Sequence, residues 1–421
     1  MVFKEIIKKK RDGEILTEKE IREAVKQYTN GEIPDYQMAA LLMAIFFKGM
    51  TDKETLYLTD AMLKSGETIN ISCNGTIVDK HSTGGIGDKV SLIIAPVLAE
   101  MGFKAVLLSG RALGFTGGTA DKLESTGMKV TLSKAEIEEV TEKFGFSISC
   151  QTDTIAPADR KIYALRDATS TVESIPLIVS SILSKKLSVN TEAIVFDVKV
   201  GTGAFMKTME RARALANGLV NVSKLYGKRA GALITDMNQP LGRTAGNAIE
   251  VIESLNALSG DISGDLLEVV TSLSGVLYEI TETGSFKEGK GKAEEIILSG
   301  KALNRFAEWI EYLGGTTELK ISKKRALVKA QESGYITEID GEKLGFLIIE
   351  MGGGRRKAGE EIDHSVGLRF FKKIGDYVKR GEPVGEIIYN RGNVEEFKAS
   401  FLQAIKFGNE KRNVNIIKER I

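Results

Sequence analysis

The stretch TIVDKHSTGGIGDKVSLIIAPVLAEM, Thr76–Met101, decides the fold. A β-rich run, Thr76–Asp79, enters a glycine-rich loop, Lys80–Asp88, and a helix follows from about Lys89 to Met101. The order recurs downstream. Ala105–Leu108 leads into Ser109–Thr119 and a helix around Ala120–Ser125. Ala193–Val198 leads into Gly201–Gly203, and Ala232–Thr235 into Asp236–Gly242, each ahead of another helix. Strands alternating with helices specify a parallel sheet with helices on its faces. Ligands of such sheets sit beyond the carboxyl ends of the strands, where these loops lie.

Upstream, the first 65 residues read as helices. Thr17 and Glu20 form a capping box before a helix with Ile21, Ala24, Val25 and Tyr28 on one face, and Thr51 with Glu54 repeats it. Between them, MAALLMAIFF (Met38–Phe47) is apolar almost all round and reads as a buried helix. Two helical segments, Ala158–Asp167 and Glu173–Leu187, interrupt the strand series and read as a return to the helical domain. The chain then crosses between domains near 66–79, 150–160 and 188–195. Beyond Arg325, Gly334–Asp340, Leu344–Glu350, Val366–Phe371 and Val384–Tyr389 read as short strands, closed by a helix over Val394–Phe407. The expected class is α/β and α+β multidomain. It comprises a small all-α domain (1–66 plus 160–192), a large α/β domain with a central, mostly parallel sheet (67–159 plus 193–328), and a C-terminal α+β domain (329–421).

Composition agrees. At roughly 150 residues per domain, 421 residues make two or three domains. Lys+Arg at 58 balances Asp+Glu at 57, which argues against a protein that coats nucleic acid or an anionic membrane. No apolar run reaches the roughly 18 residues of a membrane span. The N-terminus MVFKEIIKKKRDGE lacks a signal-peptide pattern, so a cytoplasmic location is expected. Cys73 and Cys150 make no disulfide framework, and with His81 and His364 they show no zinc-ligand spacing. Lys8–Arg11 and Lys411–Arg412 read as solvated charge.

The first loop, KHSTGGIGDKVS (Lys80–Ser91), offers Gly84, Gly85 and Gly87 for close backbone approach. The helix start offers N–H groups to an anion, and Lys80, Ser82 and Ser91 add a cation and hydroxyls. It lacks the Gly-Lys-Ser/Thr ending of a Walker A loop and the spacing of a dinucleotide fingerprint. The second loop, SGRALGFTGGTADKLES (Ser109–Ser125), adds Ser109, Gly110, Arg111, Thr116 and Thr119. Two such loops on adjacent strands, each with a cation, wrap one tetrahedral anion from two sides. A surface ion pair is the ordinary fate of an Arg such as Arg111.

The second loop closely resembles the signature of the thymidine/pyrimidine-nucleoside phosphorylase family. The resemblance extends in colinear order through KHSTGGIGDK, YALRDAT (Tyr163–Thr169), SIPLIVSSILSKK (Ser174–Lys186), VFDVKVGTGAFM (Val195–Met206), DMNQPLGRTAGNAIE (Asp236–Glu250) and MGGGRRK near Met351. It implies reversible phosphorolysis of uridine, thymidine and deoxyuridine by inorganic phosphate, giving free base and (deoxy)ribose 1-phosphate. The phosphate site it implies comprises Lys80, His81, Ser82, Ser91, Ser109, Gly110, Arg111 (through backbone or charge) and Thr119. The pyrimidine site comprises His81, Arg166, Ser181 and Lys185, with His81, Arg166 and Lys185 as catalytic groups. Ser181 and Lys185, four apart, share a helix face. Arg, Lys and a hydroxyl aimed at the charge building on a leaving pyrimidine stabilise the transition state over the ground state. A Ser–Lys pair on a helix is as readily a solvated face, and Lys186 beside Lys185 fits that plainer reading. With phosphate loops in one domain and base groups in the other, hinge closure is expected to bring the substrates together.

Ala112 and Phe115 depart from the usual Gly and His of the signature. The resemblance implies no organic cofactor and phosphate as co-substrate. It also implies a potassium ion at Gly87, Lys89, Leu241, Thr244 and Glu253, as in some bacterial members, although Lys89 replaces a hydroxyl residue there. A homodimer is the expected assembly. The alternatives are a thymidine-specific phosphorylase, an anthranilate-type phosphoribosyltransferase, which needs magnesium and acidic residues for pyrophosphate, and a non-catalytic binding protein.

Overall fold

The structure, a computed structural model, describes residues 2–112, 114–262, 264–357 and 359–421. It opens with four helices, α1 (Phe3–Arg11), α2 (Glu18–Thr29), α3 (Asp35–Lys48) and α4 (Asp52–Leu63). Both capping boxes form as read, Thr17 with Glu20 and Thr51 with Glu54. The chain then builds β1 (Ile77–Ser82), α5 (Val90–Glu100), β2 (Lys104–Ser109), α6 (Thr119–Glu124), α7 (Lys134–Phe144) and β3 (Phe146–Cys150). Helices α8 (Pro157–Ala168) and α9 (Ile175–Lys186) follow, each with a proline in its first two positions. Ala158, Ile162 and Leu177 join the core of the N-terminal helices, so these two helices do return to them.

β4 (Ala193–Val200), α10 (Met209–Leu225), β5 (Arg229–Asp236), β6 (Thr244–Gly246) and helices α11 (Ala248–Leu258), α12 (Gly264–Ile280), α13 (Phe286–Leu298) and α14 (Lys301–Tyr312) complete the middle of the chain. The last part is β7 (Arg325–Lys329), β8 (Gly334–Ile339), α15 (Gly341–Glu350), β9 (Gly367–Phe370), β10 (Tyr377–Val378), β11 (Pro383–Ile388), α16 (Val394–Gln403), β12 (Ile405–Gly408) and β13 (Ile417–Arg420).

The large sheet runs β13-β5-β4-β1-β2-β3. Its four pairings from β5 to β3 are parallel, and β13 adds an antiparallel edge. Strand order reverses between β1 and β4, the topological switch point at which such sheets bind ligands. Lys80, His81 and Ser82 occupy the carboxyl end of β1 there. The three crossings lie side by side. Ile69 N–H donates to Ser188 O at 2.6 Å, Glu67 N–H to Thr154 O at 3.0 Å, and a Cβ on Gly66 would fall 2.2 Å from Thr154 O.

Several expectations are corrected. Leu344–Glu350 is helical, because Asp340 caps the Lys343 N–H and Leu344, Leu347 and Ile348 form a buried helical face. The closing helix ends at Gln403. β12 and β13 follow, and β13 returns to the edge of the large sheet. Strand β6, which was not expected, follows the loop read over Asp236–Gly242 and joins β9 in the C-terminal sheet. Helix α3 buries only one side, and Tyr36, Met43 and Phe47 stand exposed. Lys10 is buried. Its ammonium meets Glu54 Oε1 at 2.7 Å, where Leu16 N–H also donates at 2.9 Å. Burial alone would raise the Glu54 pKa, but Lys10 and the Leu16 and Thr51 amides carry it below the usual 4.5.

Glu54 thus joins α1, the α1–α2 loop and the cap of α4. Removing one partner of a buried pair leaves an uncompensated charge, so Glu54→Ala is expected to cost about 3–5 kcal/mol. A carboxyl with a depressed folded pKa stabilises above its unfolded value, and that contribution is lost as pH falls through the folded value. The deficit measured by urea unfolding at neutral pH should therefore shrink in acid. A variant as stable as wild type at neutral pH contradicts this account.

Candidate active site

Strand β1 sends Lys80 into the sheet's carboxyl edge, where it is about 1% exposed. Its ammonium donates to Ser91 Oγ at 3.3 Å, in the first turn of α5. Burial lowers the Lys80 pKa, countered by the charges of Asp88 and Asp197. The turn between strand and helix needs glycine at Gly84 (φ +81°) and Gly87 (φ +73°). Ser82 Oγ accepts from Gly84 N–H at 3.1 Å and makes a short bond to Asp88 Oδ2, so the structure uses this hydroxyl to shape the loop. Burial opposes ionisation of Asp88, but Lys80, Lys199 and the Ser82 hydroxyl hold its pKa far below the usual value.

The second loop leaves β2 at Ser109 and reaches Thr119 at the start of α6. Leu113, inside it, lies outside the described residues. Asp121 Oδ2 accepts the Ala112 N–H at 2.6 Å, and Arg355 holds Asp121 Oδ1 at 2.6 Å from the C-terminal domain. The MGGGRRK segment therefore braces this loop. Gly110 O accepts the Ala120 N–H at 3.4 Å, which closes the loop on itself. The Arg111 guanidinium is half-exposed and turned to Glu124 at 2.6 Å and Asp121 at 3.6 Å, the surface ion pair of the plainer reading, leaving its backbone in the loop. Phe115 packs among Phe205 and Phe346, with ring centroids 5.8 and 6.0 Å apart, and so fills the loop against α15.

On the helical side, Lys185 on α9 meets Asp159 Oδ2 at 2.6 Å and Ser181 Oγ at 3.1 Å. Arg166 on α8 donates to Leu177 O at 3.0 Å and Val172 O at 2.7 Å, and lies over the Tyr163 ring at 5.5 Å. Its buried Nε and Asp159 Oδ1 have no hydrogen-bond partner among the described residues. Lys186, read as a mark of solvated surface, is buried and joins the two walls. It donates to Asp79 Oδ1 at 3.0 Å, Leu108 O at 3.0 Å and Lys80 O at 3.4 Å. This ammonium fastens α9, the helix that carries Ser181 and Lys185, to the ends of β1 and β2. Burial pushes the Asp79 carboxyl up to about 6 despite Lys186.

Sequence reasoning missed Lys186, Asp88, Asp159, Tyr163 and Lys199. One signal was available. Asp197 and Lys199, two apart in β4, face one side of a strand buried along its length, where charges must pair. They do so at 2.6 Å.

Family models match three consecutive parts of the chain. They are a glycosyl transferase family helical bundle domain over residues 4–66, a glycosyl transferase family a/b domain over 74–303, and a pyrimidine nucleoside phosphorylase C-terminal domain over 335–408. The pyrimidine-nucleoside phosphorylase of Geobacillus stearothermophilus is 42% identical over 96% of this chain and 95% of its own. That of Bacillus subtilis is 42% identical over 98% of each. The chain belongs to the pyrimidine-nucleoside phosphorylase family. It is an enzyme of the glycosyl-transferring class. Among solved structures, anthranilate phosphoribosyltransferase from Thermus thermophilus superposes with a TM-score of 0.60 at 20% identity, over 73% of this chain and 99% of that one. At that identity it shows the shared fold alone. Among the described residues, no helix is long and apolar enough to cross a membrane.

The residues implied for a potassium ion in this family converge here, but around an ammonium. Lys89 Nζ donates to Leu241 O at 2.7 Å and Thr244 O at 3.1 Å, and pairs with Glu253 Oε2 at 2.9 Å. A Cβ on Gly87 would lie 2.8 Å from Leu241 O. The set is filled by the chain's own cation, so it does not fit a free metal ion as well.

His81 is partly buried, with its ring edge-on to Phe196. Burial, then the charges of Lys186, Lys80 and Lys185, push its pKa well below 6.5. In this family member His81 is therefore a neutral hydrogen-bonding group at physiological pH. As pH falls below 6.5 the unfolded chain takes up the proton first, so His81 makes the native state lose stability toward acid. The His81 ring resonance, assigned with His81→Gln, should not titrate between pH 8 and 6.5. A midpoint at or above 6.5 contradicts this picture.

Proposed function

We propose that the enzyme catalyses reversible phosphorolysis of uridine, thymidine and deoxyuridine, releasing free base and (deoxy)ribose 1-phosphate. One observation carries the reading. Lys186 fastens a cationic, helix-capped anion pocket directly against a wall bearing Arg166, Ser181 and Lys185. Phosphate would lie between Lys80, Ser91 and the first N–H groups of α5, with Ser109 and Thr119 closing from the second loop. The pyrimidine would lie toward His81, Arg166, Ser181 and Lys185.

In the reaction a phosphate oxygen attacks C1′ while the C1′–N bond breaks. The bonding pair leaves with the base, which takes a proton from water. The chain supplies no covalent nucleophile, since phosphate is one. Its part is to hold both reactants in line and to stabilise charge spreading onto the base oxygens. Lys185 and the Arg166 guanidinium face that charge. Neutral His81 donates or accepts a hydrogen bond without adding a further positive charge to those of Lys80, Lys185 and Lys186.

Phosphate-dependent base release should occur with all three nucleosides without added divalent metal. Release from deoxynucleosides alone would narrow the reading to a thymidine phosphorylase, and no release from any would overturn it. Loss of a preorganised donor costs about 10²–10³ in kcat, so Lys185→Ala and Arg166→Ala should each fall by that factor. Lys80→Ala should raise KM for phosphate more than KM for nucleoside.

The exposed Tyr36, Met43 and Phe47 share one side of α3 and form an apolar stripe. The reading assigns that stripe to a second copy of this chain. Sedimentation should give a dimer, and Met43→Glu with Phe47→Glu should give a monomer. A monomeric wild type would remove this part of the proposal.

A further inference from the structure

The segment after β5, Met237–Gly246, faces the first glycine-rich loop without a strand pairing to hold it there. Backbone bonds between them are sparse. Leu241 N–H donates to Ile86 O at 3.2 Å. What fastens the two is the Lys89 ammonium. It has three donors, and three acceptors surround it, Leu241 O, Thr244 O and Glu253 Oε2. The side chain is wholly buried. Glu253 is anchored in turn by the Arg243 N–H at 2.6 Å and by a short bond from the Thr244 hydroxyl. The cage is also tight. A Cβ on Gly242 would fall 2.5 Å from Glu253 Oε1 and 3.0 Å from Lys89 Nζ. A second cation there would meet a like charge at van der Waals distance.

The same turn is gripped from the opposite side. Lys373, in the C-terminal domain, donates to Gly242 O at 2.7 Å and Asp265 Oδ2 at 2.8 Å, and makes a short bond to Pro240 O. Carbonyls of one turn thus point at two lysine ammoniums from two elements.

We propose that the Lys89 ammonium is a tethered monovalent cation that fastens the segment after β5 to the first glycine-rich loop, so that this chain assembles its anion pocket without potassium. Lys89 caps α5, directly after Asp88 and two residues before Ser91, so its anchorage fixes the helix start that faces the anion. An ammonium and a potassium ion are close in size and take the same carbonyl and carboxylate oxygens. The tether makes occupancy independent of salt, whereas stabilisation by a free ion depends on its concentration, growing with the logarithm of one plus concentration over Kd.

The test compares salts at equal ionic strength. Wild type should show the same Tm and the same KM for phosphate in potassium chloride and in N-methylglucamine chloride. Lys89→Thr, which opens the cage, should have a lower Tm in N-methylglucamine. Potassium, rubidium or ammonium should restore it saturably, and rubidium should give an anomalous peak between Leu241 O, Thr244 O and Glu253. Lys89→Met, which fills the space without charge, should stay low in every salt. A wild-type Tm that rises saturably with potassium overturns the proposal, and so does a folded Lys89→Thr indifferent to all three ions. Should the variants not fold, the wild-type comparison decides alone. Tm and the rubidium peak need no turnover, so only the KM arm rests on the phosphorylase reading.

Discussion

A parallel sheet that binds an anion at its carboxyl edge must keep positive charge in a place that excludes water. Bare buried ammonium is costly, because desolvation penalises the charged form. Here the charge is carried by lysines whose donors reach backbone carbonyls as well as carboxylates. Lys186 takes Lys80 O and Leu108 O, Lys89 takes Leu241 O and Thr244 O, Lys122 takes Asp88 O, and Lys373 takes Gly242 O. Each of these contacts joins segments far apart in the chain. The loops of the site therefore owe their positions to electrostatics at the strand ends, and the hydrophobic core beneath them supplies the platform.

The C-terminal domain takes part in the same scheme. Arg355 holds Asp121, whose other oxygen receives the Ala112 amide of the second loop. Asn247 donates to Gly353 O at 2.9 Å, and β6 pairs with β9. Phe115 meets Phe346 of α15. A small domain thus sets the backbone path of the second glycine-rich loop through one guanidinium and an aromatic contact.

What the sequence shows clearly is what depends on neighbours a few residues away. Thr17 with Glu20, Thr51 with Glu54, and the glycines after β1 are local signals, and each appears where read. Leu344–Glu350 was misread because the exposed Phe346 is as apolar as the buried Leu344, Leu347 and Ile348, which blurs the helical period, and the cap at Asp340 was not used to tell helix from strand. β13 was missed because a four-residue edge strand is defined by its partner β5, far earlier in the chain, where Ile417 pairs with Thr235. Lys10 and Lys186 were misplaced for one reason. A lysine's fate is set by what faces it in space, Glu54 for one and Asp79 for the other, and no spacing rule encodes that. The loops and helices that carry Lys80, Ser91, Arg166 and Lys185 were legible because long motifs run through them. The groups that hold those residues in place were not.

Donor accounting then separates the lysines that build the site from those available to a ligand. An ammonium has three N–H bonds. Lys186 uses them on Asp79, Lys80 O and Leu108 O, Lys89 on its three oxygens, and Lys373 on Pro240 O, Gly242 O and Asp265. Lys80 bonds to Ser91 Oγ, and Lys185 to Asp159 and Ser181. Those two retain donor capacity that the described residues do not take up, and they lie on the two sides of the Lys186 bridge. Arg166 Nε is in the same condition. A buried cation with unmatched donors is unstable relative to one that is matched, so an acceptor at Lys80 and at Arg166 would each relieve a standing penalty, whereas Lys185, with its side chain 24% exposed, can give its spare donor to water.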